Sequence, residues 1–328
     1  MRKVIQGMLL VILFSLVFVS HGHTQQAKPP TTTSWYVRYL PGDTNQILAT
    51  WMYNKGYEAG QRDLNLPGTQ YSFVILHLGQ PMIQGSTYGT SGYGRFLSTS
   101  TIIDVVKQFA IGYYYGTGSD TQSRLRIVLG TSNSGSYVTY AHGQVWASTT
   151  QNIGVWLQST AFGSQVEVRG GSDIEIGWSA PPVAISWVNG YTSTWVQPYS
   201  LYHFGDAQGC PTSGTTNVAR ACDLGWDQDT IRFLAWGAPP SVPFPQIYST
   251  AGGNARQWQQ LSLYSYLAYG GRMTLYGPLS QYAACIQNGG CSGTNNTSDQ
   301  AWSQLWSRLN EDSRTAQNLS YSTDIKWR

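Results

Sequence analysis

Two carboxylates placed two residues apart in a strand-like stretch are the strongest candidates for chemistry in this sequence. They are Asp173 and Glu175, near the end of Gln165-Val-Glu-Val-Arg-Gly-Gly-Ser-Asp-Ile-Glu-Ile176. Successive side chains of a strand point to opposite faces, so these two are predicted to point the same way. Neighbouring carboxylates in a partly dry site drive their pKa values apart, which can keep one acid protonated beside an ionised partner at neutral pH.

The same stretch also has a purely structural interpretation. Its apolar residues share one parity and its charged residues the other, which predicts a packed face and a charged face. The apolar set is Val166, Val168, Ile174 and Ile176, and the charged set is Glu167, Arg169, Asp173 and Glu175. In the alternative, Arg169 neutralises Glu167 while the other two acids cap the strand. Periodicity alone slightly favours that alternative.

The elements that must position these residues alternate between strands and helices. Strands are predicted at residues 71–78, 110–115, 124–129, 165–176, 199–204, 230–236, 246–249 and 272–276, although 110–115 can also extend the preceding helix. Helices are predicted at 45–60, 101–109, 137–158, from Pro181 onward, 254–269 and 299–309, and a long loop at 85–94. Alternation implies parallel pairing with right-handed crossovers. Eight such units predict an α/β fold of the (β/α)8 TIM-like barrel type in a single domain.

An open, doubly wound sheet is the competing architecture. Polar, glycine-rich segments follow the predicted strands repeatedly, and in a barrel they would all meet at one rim, where active sites lie. These segments are Gly79-Gln80, Gly130 to Gly135, Asp173-Ile-Glu175, Gly205-Asp206, Gly237-Ala238 and Gly277-Pro278. In an open sheet they would not all converge, so the barrel is preferred.

The amino terminus has the layout of a secretory signal peptide. Arg2-Lys3 precedes an apolar run from Met8 to Val19, and small residues follow at Ser20 and Gly22. An uncleaved anchor is the alternative, but the run is shorter than the roughly 20 residues that a membrane-spanning helix needs. We therefore predict a signal peptide at 1–22, a flexible leader at 23–34 and the folded domain at 35–328, with extracellular localisation.

Charge and cysteine usage narrow the class of protein further. The formal net charge is +3, and two of these charges leave with the signal peptide, so no electrostatic footprint for nucleic acid is expected. The four cysteines form two local pairs, Cys210 with Cys222 and Cys285 with Cys291. In an oxidising compartment, near neighbours are the simplest disulfide partners, although four cysteines allow three connectivities. Neither pair has zinc-ligand spacing, so we predict no metal and no cofactor.

The Asp-Ile-Glu at the end of a predicted fourth strand resembles the Asp-x-Glu signature of the family 25 muramidases and related glycoside hydrolase-like barrels. Three further segments, Gly-Ser-Asp-Ile-Glu-Ile-Gly-Trp, Tyr-His-Phe-Gly-Asp-Ala-Gln-Gly-Cys-Pro and Ala-Trp-Gly-Ala-Pro-Pro, are similar to a group of secreted bacterial proteins from about Trp35 onward. The muramidase resemblance implies Glu175 as the acid that protonates the leaving sugar oxygen and Asp173 as its partner. Those muramidases also carry an aspartate at the end of the first strand, where this sequence has Leu76-His-Leu-Gly-Gln80. Neither His77 nor Gln80 simply replaces a carboxylate.

Further candidates lie near predicted strand ends. Asp206 can supply a third carboxylate or serve as a turn residue, and His203 can line the site or be hydrogen-bonded in the core. Gln80 and five aromatic residues, Trp178, Tyr202, Trp236, Tyr248 and Tyr276, are candidates for substrate binding, with core packing as the alternative for each aromatic.

The sequence thus supports two functional hypotheses. The first is a secreted glycoside hydrolase-like protein that acts on a cell-wall or environmental polysaccharide, including peptidoglycan. The second is a non-catalytic secreted barrel that binds carbohydrate or serves at the cell surface. The sequence has no Gly-x-Ser-x-Gly elbow, no phosphate-binding glycine loop with lysine and no His-Glu-x-x-His motif, which argues against the chemistries that depend on them.

Overall fold

The computed structural model describes residues 26–328, so the predicted signal peptide and the first residues of the predicted leader lie outside the described residues. The strands in chain order are β1 (Thr32–Tyr36), β2 (Gln70–His77), β3 (Pro81–Gln84), β4 (Thr87–Thr90), β5 (Leu97–Ser98), β6 (Ser123–Ser132), β7 (Val166–Asp173), β8 (Leu201–His203), β9 (Ser241–Pro243), β10 (Leu279–Ser280) and β11 (Thr323–Trp327). Strand β1 begins inside the segment that the sequence predicts as leader.

Eight of these strands form one curled sheet, the main sheet, in which all neighbouring strands are parallel. Their spatial order is β10-β11-β1-β2-β6-β7-β8-β9. Three residues after β9, a single parallel bridge joins Gln246 to Leu279 of β10. The prediction of an α/β fold built on eight parallel strands is confirmed.

Each helix lies between two strands of the main sheet that are consecutive in the chain. They are α1 (Asn45–Leu64), α2 (Thr99–Gly116), α3 (Tyr140–Gln158), α4 (Pro181–Thr194), α5 (Gln228–Arg232), α6 (Gly253–Tyr269), α7 (Tyr282–Gln287) and α8 (Ser298–Asn310). Local sequence explains several starts. Thr44, Ser98 and Thr139 each accept a backbone N–H of the first turn, and a proline opens α4. No helix described in residues 26–328 is both long and apolar enough to cross a membrane.

Several predicted strands are corrected by the structure. Residues 110–115 belong to α2, which was the alternative for that segment, and residues 230–236 form α5 and a π-helical turn, Phe233–Gly237. Residues 272–276 have no strand, and within 246–249 only Gln246 takes part in a bridge. The predicted loop at 85–94 instead contributes β4 to a small antiparallel sheet of β3, β4 and β5.

Apolar side chains pack in two layers, one on each face of the main sheet. The larger cluster lies between the sheet and the helices and contains Val166, Val168, Ile174 and Ile176, the apolar parity set of β7 and its continuation. The smaller cluster lies inside the curled sheet and includes Phe73, Val128, Tyr202, Phe204 and Phe244. The charged parity set therefore faces the inside of the sheet.

Helices α1 and α2 approach closely because glycines face each other. A Cβ at Gly56 would overlap the carbonyl oxygen of Phe109, and a Cβ at Gly112 would overlap that of Tyr53. Backbone-to-backbone packing of this kind has no room for a side chain, which explains why α2 tolerates Gly112 despite its cost to helix formation.

Candidate functional site

Asp173 and Glu175 converge on one side-chain amide at the carboxyl end of β7. The Nε2 of Gln246 donates to Asp173 Oδ1 at 2.7 Å and to Glu175 Oε1 at 3.1 Å. Both carboxyls therefore lie on the same side of the strand, as strand alternation requires. Gln246 lies three residues after β9, where it forms a bridge with Leu279 of β10.

Other polar groups from the same end of the main sheet surround this pair. Together with the pair, these groups form what we call the carboxyl-end cluster. Its members are Tyr36, His77, Tyr93, Asp173, Glu175, Asp206, Gln246 and Tyr248. Tyr36 ends β1 and His77 ends β2, and their rings lie 5.4 Å apart, each within 6 Å of the Tyr93 ring. The carboxyl ends of parallel strands are where α/β enzymes place their active sites.

Burial changes the proton affinity of both carboxyls. It raises the pKa of Asp173 well above its usual value, and the nearby Asp206 raises it further. Burial, followed by the charges of Asp173 and Asp206, raises the pKa of Glu175 to about 9. Hydrogen bonds from Gln246 act in the opposite direction but are outweighed. The pair therefore keeps at least one proton at neutral pH, which is the state that a general acid requires.

The hydrogen bonds of His77 assign its tautomer. Its Nδ1 accepts the backbone N–H of Gly79 at 3.1 Å and lies 2.6 Å from the hydroxyl of Tyr93. Burial lowers the pKa of His77 to about 3, so the ring is neutral. Because an amide N–H can only donate, Nδ1 is the acceptor and the proton sits on Nε2. That nitrogen lies 3.5 Å from Asp173 Oδ2.

Tyr248 brings a buried hydroxyl to the cluster. The hydroxyl oxygen is buried and makes no hydrogen bond of good geometry within residues 26–328. Burial raises the tyrosine pKa well above its usual value, and the charges of Asp173 and Glu175 contribute, so the group stays protonated. The Tyr36 side chain acts on the same hydroxyl, so Tyr248 and Tyr36 belong to one group of buried hydroxyls in the cluster.

Asn133 fixes the backbone at Glu175 from both sides. Its Oδ1 accepts the N–H of Glu175, and its Nδ2 donates to the carbonyl of Glu175, both at 2.9 Å. Asp206 holds the next residue, since its Oδ1 accepts the N–H of Ile176 at 3.1 Å. Sequence analysis missed Asn133 and Gln246 as site residues, because a lone amide carries no motif. Asn133 nevertheless lies in a polar segment, Gly130 to Gly135, that follows a predicted strand.

Of the other predicted site residues, two accompany the pair. Trp178 is 41% exposed, and its backbone N–H donates to the carbonyl of Glu175 at 3.2 Å. Gln80 is exposed after β2, and its Oε1 accepts the hydroxyl of Ser134 at 3.1 Å. Both residues flank the carboxyl-end cluster and remain candidates for substrate binding.

Four predicted binding residues lie elsewhere. Tyr202 accepts a hydrogen bond from Arg126 at 2.6 Å, and the Tyr276 ring lies 6.1 Å from Tyr202, which places both toward the amino ends of the strands. His203 has the outward parity of β8 and meets the ring of Trp258, and Trp236 packs against the outer apolar cluster. His203 is turned away by its strand parity and Tyr202 by its position along β8, whereas Trp236 and Tyr276 lie on no strand of the main sheet.

The arginine of the structural alternative is engaged with Glu167. Arg126 and Arg169 both pair with that carboxylate, the latter at 2.7 Å. Within residues 26–328, no arginine or lysine forms an ion pair with Asp173 or Glu175. The pair is therefore not sealed by a cation in the described part of the chain.

Both predicted disulfides are present, Cys210–Cys222 and Cys285–Cys291. The first closes the loop that follows Asp206. No group of three or more His, Cys, Asp or Glu side chains in residues 26–328 is arranged to hold a metal ion. Comparison of the chain with protein-family models gives no match, and comparison with curated proteins gives none either.

Proposed function

We propose that the protein is a secreted glycoside hydrolase-like enzyme that acts on a cell-wall or environmental polysaccharide, with Glu175 as the general acid. The observation that carries the proposal is the raised proton affinity of Glu175 beside a second carboxyl at the carboxyl end of β7. In chain order β7 is the fourth strand of the main sheet, the position that the muramidase resemblance implies.

A closed (β/α)8 barrel is part of this proposal. The bridge between Gln246 and Leu279 supports it, as do the backbone hydrogen bonds from Ile247 N to Leu279 O and from Leu279 N to Pro245 O, both 2.9 Å. Closure would place every member of the carboxyl-end cluster around one mouth, which suits a site that must contact a sugar from several sides.

Glu175 is the better proton donor of the pair because it is the more accessible. Asp173 is only 2% exposed, whereas Glu175 is partly exposed. An ordinary glutamate would be ionised at neutral pH, but a pKa of about 9 keeps Glu175 protonated until it meets a glycosidic oxygen. Asp173 is held by Gln246 and faces His77 Nε2, and because burial also raises its pKa it would stay protonated and position the pair rather than supply a charge.

Substrate recognition would use groups next to Glu175. The exposed indole of Trp178 offers a flat apolar surface of the kind on which sugar rings stack, and the exposed amide of Gln80 offers hydrogen bonds. The two disulfides support the proposal that the protein works outside the cell, where oxidising conditions preserve such bonds.

A non-catalytic carbohydrate-binding protein is the second candidate. It is favoured by the near-complete burial of Asp173 and by the use of Asp206 as a backbone acceptor, which leaves no freely exposed second carboxylate. In that case the carboxyl-end cluster would shape a sugar-binding hollow, and glycan would be bound without cleavage.

Turnover of peptidoglycan and of a panel of polysaccharides by wild type and Glu175→Gln tests the proposal. The change removes the proton donor but keeps the shape of the side chain. We expect wild type to release new reducing ends and the variant to lose about 100-fold or more in kcat. Glu311→Gln, at a residue whose side chain is 56% exposed, is the matched control and should keep full activity. Equal activity of Glu175→Gln would refute the acid role, and binding of a glycan without any cleavage by wild type would establish the second candidate.

A further inference from the structure

A second polar region lies at the opposite end of the main sheet. A cavity of about 350 Å³ opens there between the amino ends of β2, β6 and β7. Among its lining residues are Tyr71, Arg124, Arg126, Glu167 and Tyr321. Tyr71 is 64% exposed, so solutes can reach the cavity.

An aromatic layer separates this cavity from the carboxyl-end cluster. Phe73 and Phe244 stack with ring centroids 4.0 Å apart, and Tyr202 meets Phe73 edge-on at 5.1 Å. All three are buried inside the curled sheet. The cavity is therefore a separate compartment and not an extension of the carboxyl-end cluster.

The cavity region has an excess of positive charge. Arg126 and Arg169 share the single carboxylate of Glu167. Arg124 forms no ion pair within residues 26–328, and its Nη1 donates to the carbonyl of the adjacent Ser123 at 2.9 Å. Arg124 also acts electrostatically on Asp120, so Arg124, Arg126 and Arg169 stand against the two carboxylates of Glu167 and Asp120, which leaves one positive charge for an incoming anion.

The arginines also have N–H groups that are available to donate hydrogen bonds to a ligand. The Nε of Arg126 donates to Glu167 and its Nη1 donates to Tyr202. Its Nη2 makes no hydrogen bond within the described residues. The neutral groups that line the cavity are already engaged, since Ser72 donates to Asp63 at 2.6 Å and Gln165 donates to Asp120. A planar guanidinium with free N–H groups matches the oxygens of a phosphate, sulfate or carboxylate.

We propose that this cavity is a binding site for a small organic anion, a flat ring that carries a phosphate-like oxyanion. The oxyanion would sit between Arg124 and Arg126, and the ring would lie against Tyr71 or Tyr321. Arg126 already lies 5.6 Å from the centre of the Tyr321 ring, so charge and aromatic surface are adjacent. The site does not depend on the glycan-cleaving activity proposed for the other end of the sheet.

Calorimetric titration of the full chain with phenyl phosphate tests the proposal, with phenol as the uncharged probe of the same ring. We expect saturable binding of one phenyl phosphate per chain, weakened by added salt, and no comparable binding of phenol. Absence of binding, or equal binding of phenol, would overturn the proposal.

Two arginine variants locate the site. Arg124→Gln should weaken phenyl phosphate binding at least tenfold, whereas Arg272→Gln, which removes the same charge from an exposed position, should leave it unchanged. Among residues 26–328, the Arg124 side chain donates to a neighbouring carbonyl alone, so its loss is expected to leave the fold intact, and circular dichroism and thermal unfolding check this. Unchanged affinity in Arg124→Gln would contradict the assignment. Glu175→Gln should bind phenyl phosphate like wild type, so the result is independent of the glycosidase test.

Discussion

The imidazole Nε2 of His77 lies 3.5 Å from Oδ2 of Asp173, although strand β6 separates the two strands that carry them. The contact spans β6 because both side chains point into the curled sheet at its carboxyl end. A neutral histidine at this place turns its protonated ring nitrogen toward a carboxyl without adding a charge. It therefore supports Asp173 while allowing the pair to keep its proton.

His77 should not titrate in the physiological range. Burial lowers its pKa to about 3, and its Nδ1 is occupied as an acceptor. Long-range nitrogen–proton NMR spectra should show the Nε2–H tautomer, unchanged between pH 5 and 8, with His77→Gln identifying the resonance. A titration of His77 near its usual pKa of about 6.5 would contradict the assigned tautomer and neutrality.

Stability should fall as the pH rises from 7 to 9, and Glu175 should be a main cause. In this range an unfolded glutamate has lost its proton, whereas Glu175 in the folded chain keeps it up to about pH 9. The folded state thus binds more protons, so the free energy of unfolding decreases with pH. The slope is on the order of 1 kcal/mol per pH unit for one such group. Urea unfolding of Glu175→Gln should show a flatter dependence, and Glu311→Gln should follow wild type.

The three buried histidines contribute with the opposite sign at lower pH. Burial lowers the pKa of His77, His142 and His203 to between about 3 and 4. Between those values and about 6.5, the unfolded chain binds more protons at these positions, so their contribution to stability rises with pH. Above pH 7 they are neutral in both states, which is why the range from 7 to 9 isolates the carboxyls.

Gln246→Glu should be destabilising in a pH-dependent way. The substitution keeps the size of the side chain but replaces an N–H donor with a third carboxyl against Asp173 and Glu175. Burial should raise the pKa of the new carboxyl above that of an unfolded glutamate, so the loss of stability should be larger at pH 8 than at pH 5, by about 1 kcal/mol or more. Thermal unfolding at the two pH values measures it. Gln46→Glu on the exposed start of α1 is the control, and equal losses at both pH values in Gln246→Glu would show that Gln246 does not hold the pair.

Gly56→Ala should destabilise the protein although alanine favours helices. The new Cβ would overlap the carbonyl oxygen of Phe109 on α2, so the two helices must move apart. We expect a loss of about 1–3 kcal/mol in the free energy of unfolding. Gly253→Ala in α6, where a Cβ meets nothing within 4 Å, should be neutral or stabilising. Denaturant unfolding compares the two, and a stable Gly56→Ala would mean that the helix contact is looser than described.

The sequence predicted the position of the carboxyl pair better than it predicted the strands. Asp173 does end the fourth strand of the main sheet, but two errors in the count cancel. Strand β1 was missed, and the helical segment 110–115 was counted as a strand. Strand β1 has no local signal because Thr32 pairs with Thr323 at the far end of the chain. The aromatic residues of 110–115 favour strands, but the close contact at Gly112 places them in a helix.

Long-range contacts also explain which site residues could be predicted. Asp173 and Glu175 stand out because alternation within one strand is a local property. Gln246 is more than 70 residues away from Asp173 in the chain. It reaches the pair only in the folded protein, where it forms a bridge with Leu279 of β10. His77 was considered only as a replacement for a carboxylate. Its role as a neutral donor depends on the Gly79 and Tyr93 contacts, which no spacing rule predicts.

The stacked rings of Phe73 and Phe244 have a consequence for combined substitutions. The two rings lie between Arg124 and Glu175. Within residues 26–328, these two side chains share no hydrogen-bond partner. When two substitutions are far apart and share no contacts, their changes in the free energy of unfolding add up. The double substitution Arg124→Gln/Glu175→Gln should therefore change the free energy of unfolding by the sum of the two single changes. The stability of one end of the sheet would then not depend on the other end.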